Sequence, residues 1–301
     1  MKEQAQAMVM ASFVGDSLAL GAHWIYSTTK IAKDIGRMED YRKPGEGSYH
    51  PTKDKGEFTH YGDQAFVLLE SLAEKKDFDL EEFSLKWREM FKDYTGYIDQ
   101  ATKGTLLNIS NGASPMESGS SSNDIAGAAR IAPLVYCLRN DPDILVSSAR
   151  AQTAMTHRDP DTVGSSEFFA RIAHCILTGG SPSMSITEVT DKYFKDTPIA
   201  VWVEKGIESK GHDSVETIRA FGQSCHTPDA FPGIIHLITK YEGDLKEALI
   251  QSVIAGGDSA ARSMIVGMIL GAHLGMEAIP EAWIFGLKRA EQIEALLSSI
   301  G

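Results

Sequence analysis

Five short segments of the 301-residue chain carry side chains that chemistry uses. Gly15-Asp16-Ser17 sets a carboxylate inside an otherwise apolar stretch. Such a charge costs several kcal/mol unless it is paired or bound. Asp16 is therefore either a hydrogen-bonded structural group or a ligand. Thr59-His60-Tyr61-Gly62-Asp63 offers a hydroxyl, an imidazole, a phenol and a carboxylate ahead of an apolar run, with Asp63 also suited to capping. Ser120-Ser121-Ser122-Asn123-Asp124 is a polar loop feeding a helix that carries Arg130, a pattern that suits an anion on backbone amides. Thr156-His157 falls at a corner between two helical stretches, where an imidazole is structural or carries protons. Gly256-Gly257-Asp258-Ser259 opens a helix. Its amides would favour an anion and its oxygens a hard cation; a plain N-cap is the other reading. Cys225-His226 has no carboxylate beside it in sequence to complete a nucleophile pair. His23, His60 and His157 with Asp63 would be a donor set for a transition metal.

Helices must position these groups, because helical periodicity dominates the chain. Residues 4–22 are apolar or small almost throughout, with Ala7, Ala11 and Gly15 four apart. Residues 64–73 and 80–92 read as a helix pair, the second capped by Asp79 with Glu82 and facing inward with Phe83 and Trp87. Helices are expected at 125–139, 143–155, 165–177, 187–195, 198–207, 214–222 and 230–241, and from Asp244 to about 255. The helix starting at Asp258 carries Gly267, Gly271 and Gly275 four apart, which predicts a second backbone against it. Residues 41–62 and 108–124 read as loops, and no period-2 alternation predicts a strand. One all-α domain spanning 1–301 is expected.

Composition narrows the function classes. Apolar residues make up 43%, enough to fill a core, and this excludes a disordered chain. Lys plus Arg is 29 against 41 Asp plus Glu, a net charge of -12. That argues against nucleic-acid and anionic-membrane partners, whose phosphates select basic residues. Cys137, Cys175 and Cys225 lie far apart and suggest neither a disulfide framework nor a cysteine zinc site. No basic leader and no run of about 18 apolar residues is present, so a cytoplasmic protein is expected.

Taken in order, Gly15-Asp16, the Thr59 segment, Ser122 to Pro133, Thr156-His157 and Gly256-Gly257-Asp258 through Gly271-Ala272 resemble the ADP-ribosylglycohydrolase family. The resemblance runs from about residue 8 to about residue 283. It implies a compact all-α fold, two magnesium ions in a central cleft, and cleavage of the glycosidic bond between ADP-ribose and a protein side chain.

The chain departs from that family at the metal motifs. The family's Thr-Asp-Asp-Thr falls on Thr59, His60, Tyr61 and Gly62. Its Gly-Gly-Asp-Thr-Asp-Thr reads Gly256-Gly257-Asp258-Ser259-Ala260-Ala261. Magnesium takes a near-octahedral oxygen shell with carboxylates supplying charge. Thr59, Asp63, Asp258 and Asp16 would leave room for one ion at most. The bulky His23, Trp24, Tyr26, His60 and Tyr61 resemble the variant branch of the family that includes the jellyfish J-type lens crystallins.

The resemblance implies a cleft for an ADP-ribose- or nucleoside-type small molecule, with hydrolysis weak or altered. Asp63 or Asp258 would be the general base, with His60 and His157 assisting proton transfer. Ser120, Ser121, Ser122, Asn123 and Asp124, with Gly256 and Gly257, would hold the phosphates, while Trp24 and Tyr61 would stack on base or ribose. The alternative is a non-catalytic binding or structural protein.

Overall fold

The computed structural model describes residues 1–301. It contains 17 α-helices, two short 3₁₀ turns and one π turn, and no strand. Two buried helices lie back to back at the centre, Lys2–Ala19 and Ser259–Leu274. Small residues at intervals of four allow it. A side-chain carbon on Gly15 would stand 2.4 Å from the carbonyl oxygen of Ser263, and one on Gly271 would stand 2.8 Å from that of Ala7. The second backbone expected against Gly267 and Gly271 is thus the N-terminal helix. Gly275 does not share this role; at φ 80° it ends the helix and meets nothing.

The remaining helices wrap this pair in one hydrophobic core that runs from Ala5 to Leu297. Asp is the recurrent start signal. Asp79, Asp99, Asp141, Asp159, Asp213, Asp244 and Asp258 each accept the amide three residues on. The expected caps at Asp79, Asp244 and Asp258 are among them.

Several boundaries differ from expectation. The 125–139 stretch is two helices, Ala126–Ala129 and Ala132–Leu138, broken at Arg130-Ile131. The break turns the Arg130 side chain into the interior. The 187–195 stretch divides between Pro182–Val189 and a π turn, Thr190–Phe194. The helix expected from residue 64 already starts at His60, which removes His60 to Gly62 from the expected loop. Gln100–Ser110 likewise takes the start of the 108–124 loop. What remains of that loop is pinned by two isolated bridges, Ser120 to His157 and Asp124 to His226. No helix is long and apolar enough to cross a membrane.

Candidate functional site

The first wall forms where the N-terminal helix ends. Trp24 adopts φ 62°, uncommon for a bulky residue. Its amide donates to Gly257 O at 2.8 Å, and the Gly257 amide donates to Ile25 O at 2.9 Å. Gly256 and Gly257 both have positive φ, and a side-chain carbon on Gly257 would lie 2.0 Å from Gln223 O. The glycine pair thus serves a close meeting of three backbone segments. That meeting sets His23 Nδ1 3.7 Å from Asp258 Oδ1.

It also overturns one expectation. The amides of Gly256, Gly257, Asp258 and Ser259 bond to backbone carbonyls, Ala260 N–H points to His23 Nδ1, and Ala261 N–H to Asp258. Gly256-Gly257 therefore presents no free amide to a phosphate. In the Ser120 to Asp124 loop the amides of Ser120, Ser122 and Asp124 are likewise taken. Those of Ser121 and Asn123 make no hydrogen bond within the protein.

The second wall is the start of the His60–Lys75 helix. Thr59 Oγ1 accepts from Tyr61 N–H and donates to Asp16 Oδ1 at 2.5 Å, while Thr59 N–H donates to Asp16 Oδ2 at 2.8 Å. Burial pushes the Asp16 carboxyl up to about 7. Asp16 thus anchors the neighbouring helix start. His60 and Tyr61 turn inward: Tyr61 OH faces Asp258 Oδ2 at 3.4 Å, and His60 Nε2 lies 3.2 Å from Asp99 Oδ2. Asp63 does not join them. It pairs with Lys53 and accepts from Tyr94 OH at 2.6 Å, on a separate surface pocket of about 560 Å³ shared with Glu70 and Arg289.

The floor brings Asp124, Cys225 and Asp258 together, with one donor atom from each within 4.8 Å of the others. Burial, reinforced by the Asp258 charge, pushes Asp124 well above the usual carboxylate range. Burial raises Asp258 to about 6 against the pull of Arg262. Burial and both carboxylates also push the Cys225 thiol up, so it stays protonated. His226 offers it no help, because its Nδ1 lies 2.5 Å from Asn123 Oδ1. Burial works against an ionised Asp99, yet His60 beside it holds its carboxyl below the usual range.

Behind the floor, buried Arg130 donates to Gln64 Oε1 and to Thr156 Oγ1. Thr156 Oγ1 also contacts His157 Nδ1 at 2.8 Å. Burial lowers His157 to about 3, leaving a neutral ring in the second layer. His23 and His50 are also neutral, burial pushing the first far down and the second to about 3.

Aromatic rings line the approach. Trp24 stacks on His23 at 4.3 Å and meets Tyr49 and Tyr97 edge-on at 4.9 and 5.0 Å. Tyr61 is fully buried and lies below this layer. The rim is Tyr26 and Tyr49, both about half exposed (51% and 53%), with half-buried Tyr97. Of the residues singled out in sequence, Asp124, Asp258, His60, Tyr61 and Trp24 converge here. Asp63, Asp16, Thr59 and His157 are engaged elsewhere. Asp99, His50, Tyr49, Tyr97 and the place of Cys225 were not anticipated; only Asp99, as a cap before Thr102, left a local trace.

The proposed magnesium donors do not form a set. Thr59 and Asp16 satisfy each other, Asp63 is held by Lys53 and Tyr94, and only Asp258 faces the floor. Its neighbours there include a thiol, a soft donor foreign to magnesium. Two groups of side chains could nonetheless hold some metal ion: Asp124, Cys225 and Asp258, and the histidines 23, 50 and 60.

A family model described as ADP-ribosylglycohydrolase matches residues 1–300. Crystallin J1A of Tripedalia cystophora is 25% identical, covering 97% of this chain and 94% of its own length. The ADP-ribosyl-[dinitrogen reductase] glycohydrolase of Rhodospirillum rubrum is 24% identical, covering 99% of this chain and 97% of its own length. A solved structure described as an ADP-ribosylglycohydrolase-related protein complex superposes with a TM-score of 0.78 at 20% identity, covering 99% of this chain and 97% of the other.

Proposed function

Because the chain belongs to the ADP-ribosylglycohydrolase family, we propose that it binds an ADP-ribose- or nucleoside-type ligand over Asp124 and Asp258. Hydrolysis of the glycosidic bond there would be weak and independent of magnesium. One observation carries this reading: two carboxyls of different proton affinity converge beneath a tyrosine rim, while the other magnesium candidates are consumed elsewhere. Environments that push two carboxyls apart assign an acid and a base.

Asp258, whose charged form is favoured by Arg262 and by the Ala261 amide, is the carboxyl placed to take a proton from water. The water oxygen then bonds to the anomeric carbon as the glycosidic bond breaks. Asp124, which keeps its proton, can give it to the leaving atom. Tyr61 OH orients the Asp258 carboxylate. Tyr49 and Tyr97 offer faces to a base or ribose, and the free Ser121 and Asn123 amides suit phosphate oxygens. A cytoplasmic location belongs to the same reading.

Calorimetric titration with ADP-ribose tests the binding half. Saturable binding is expected, weakened about fivefold in Tyr97→Ala, since loss of one stacking face costs on the order of 1 kcal/mol. Absence of binding to the folded protein defeats it. A second reading, a structural protein without hydrolase activity, is favoured by the likeness to crystallin J1A over nearly the whole chain. It expects neither turnover nor ADP-ribose affinity.

A further inference from the structure

His23 follows the N-terminal helix, His50 lies in the loop after Tyr49, and His60 opens the next long helix. These three distant stretches bring their rings together below Trp24. Ring centroids are 5.3 Å apart for His23 and His50, 5.5 Å for His50 and His60, and 6.2 Å for His23 and His60. All three residues are at most 3% exposed. Each keeps a ring nitrogen without a hydrogen-bond partner: Nε2 of His23, both nitrogens of His50, and Nδ1 of His60. Buried polar atoms in native proteins are overwhelmingly paired, and leaving one unpaired is costly. Ring stacking alone gives no reason for three of them to converge.

We propose that His23, His50 and His60 form a three-imidazole site for a borderline divalent transition ion, with zinc the leading candidate. The three residues each offer a nitrogen within 4.8 Å of the other two. Zinc takes imidazole nitrogens at about 2.0–2.1 Å in a tetrahedron, so nitrogens about 3.3 Å apart suit it. Side-chain rotation that brings the nitrogens closer by up to about 1.5 Å closes the difference. Magnesium is excluded, because this donor set contains no oxygen.

The surroundings orient the ligands as such sites require. Asp99 Oδ2 lies 3.2 Å from His60 Nε2, which leaves Nδ1 to ligate. Ligation through His23 Nε2 requires the ring proton on Nδ1, which then gives up its 3.4 Å contact with the Ala260 amide and faces Asp258 Oδ1, 3.7 Å away. Carboxylates behind ligating histidines fix the tautomer and ring direction. Asp99 is thus a positioning residue. Neither the site nor its test depends on the ribose-type ligand.

The test is titration of the metal-stripped full chain with cobalt(II), read by visible absorption. One equivalent should bind with tetrahedral d–d bands, be displaced by zinc and be indifferent to magnesium. His50→Gln and His60→Gln should lose the bands, and His212→Gln, an exposed control, should keep them. Asp99→Asn, which preserves the helix cap, should weaken binding about tenfold with altered band positions. Circular dichroism establishes that each variant is folded. Zinc-edge X-ray absorption of the unmutated protein gives an independent readout, with imidazole shells expected at about 2.0 Å. No stoichiometric cobalt binding by the folded chain, bands surviving in folded His50→Gln and His60→Gln, or a shell without imidazole would overturn the proposal.

Discussion

The carbonyl oxygen of Ala11 lies 2.3 Å from where a side-chain carbon on Gly267 would stand. The central helix pair is therefore in backbone contact at this point. Gly267→Leu should force it apart at a cost of about 1–3 kcal/mol or more. Gly275→Ala, which meets no atom but must hold φ 80° and ψ −176°, should cost about 1–3 kcal/mol from backbone strain alone. Thermal melting compares the two; an unchanged midpoint for Gly267→Leu would contradict the packing.

A second expectation concerns pH and lies far from the site. His236 is buried, with Ser209 Oγ 2.8 Å from Nδ1 and Ser214 Oγ 2.9 Å from Nε2. Burial lowers it to about 4, against about 6.5 for an unfolded histidine. A depressed histidine stabilises fully above pH 6.5, and the contribution is lost as pH falls through about 4. It amounts to about 3 kcal/mol across that window. His236→Gln should flatten the acid side of the stability profile measured by urea unfolding. An unaltered slope would show that the ring does not titrate there.

Much of this architecture is legible in the sequence because it rests on local signals. Asp caps announce helices at Asp79, Asp244 and Asp258, and the Gly267 and Gly271 spacing announces a neighbouring backbone. The site is less legible because its geometry is made by contacts between distant segments. Gly256-Gly257 looks like an anion cradle, yet its amides are taken by Val253 O and Ile25 O, and the next, from Asp258, by Gln223 O. Asp63 looks like a base beside His60, yet one helical turn sends it to Lys53 and Tyr94. His50 sits in a loop with no periodicity, so nothing local relates it to His23 and His60.

Asp63 and Asp258 are separable by substitution. Asp258→Asn removes the proposed base and should lower ADP-ribose release at least a hundredfold. Asp63→Asn breaks a pair outside the floor and should change release less than about threefold, while destabilising the fold by about 1–3 kcal/mol through the charge it leaves unpaired on Lys53. Release rates and melting midpoints for both variants check this, and the reverse ranking would return Asp63 to the site.

The most direct measurement is ADP-ribose release from modified protein, followed without divalent metal and again at saturating magnesium. The motif resemblance sets His60, Tyr61 and Ala260 at positions where aspartates are expected in the family, and Asp16 and Asp63 are engaged with Thr59 and with Lys53. Slow release, unmoved by magnesium and abolished by Asp258→Asn, is the expected result. Brisk turnover that requires magnesium would contradict it.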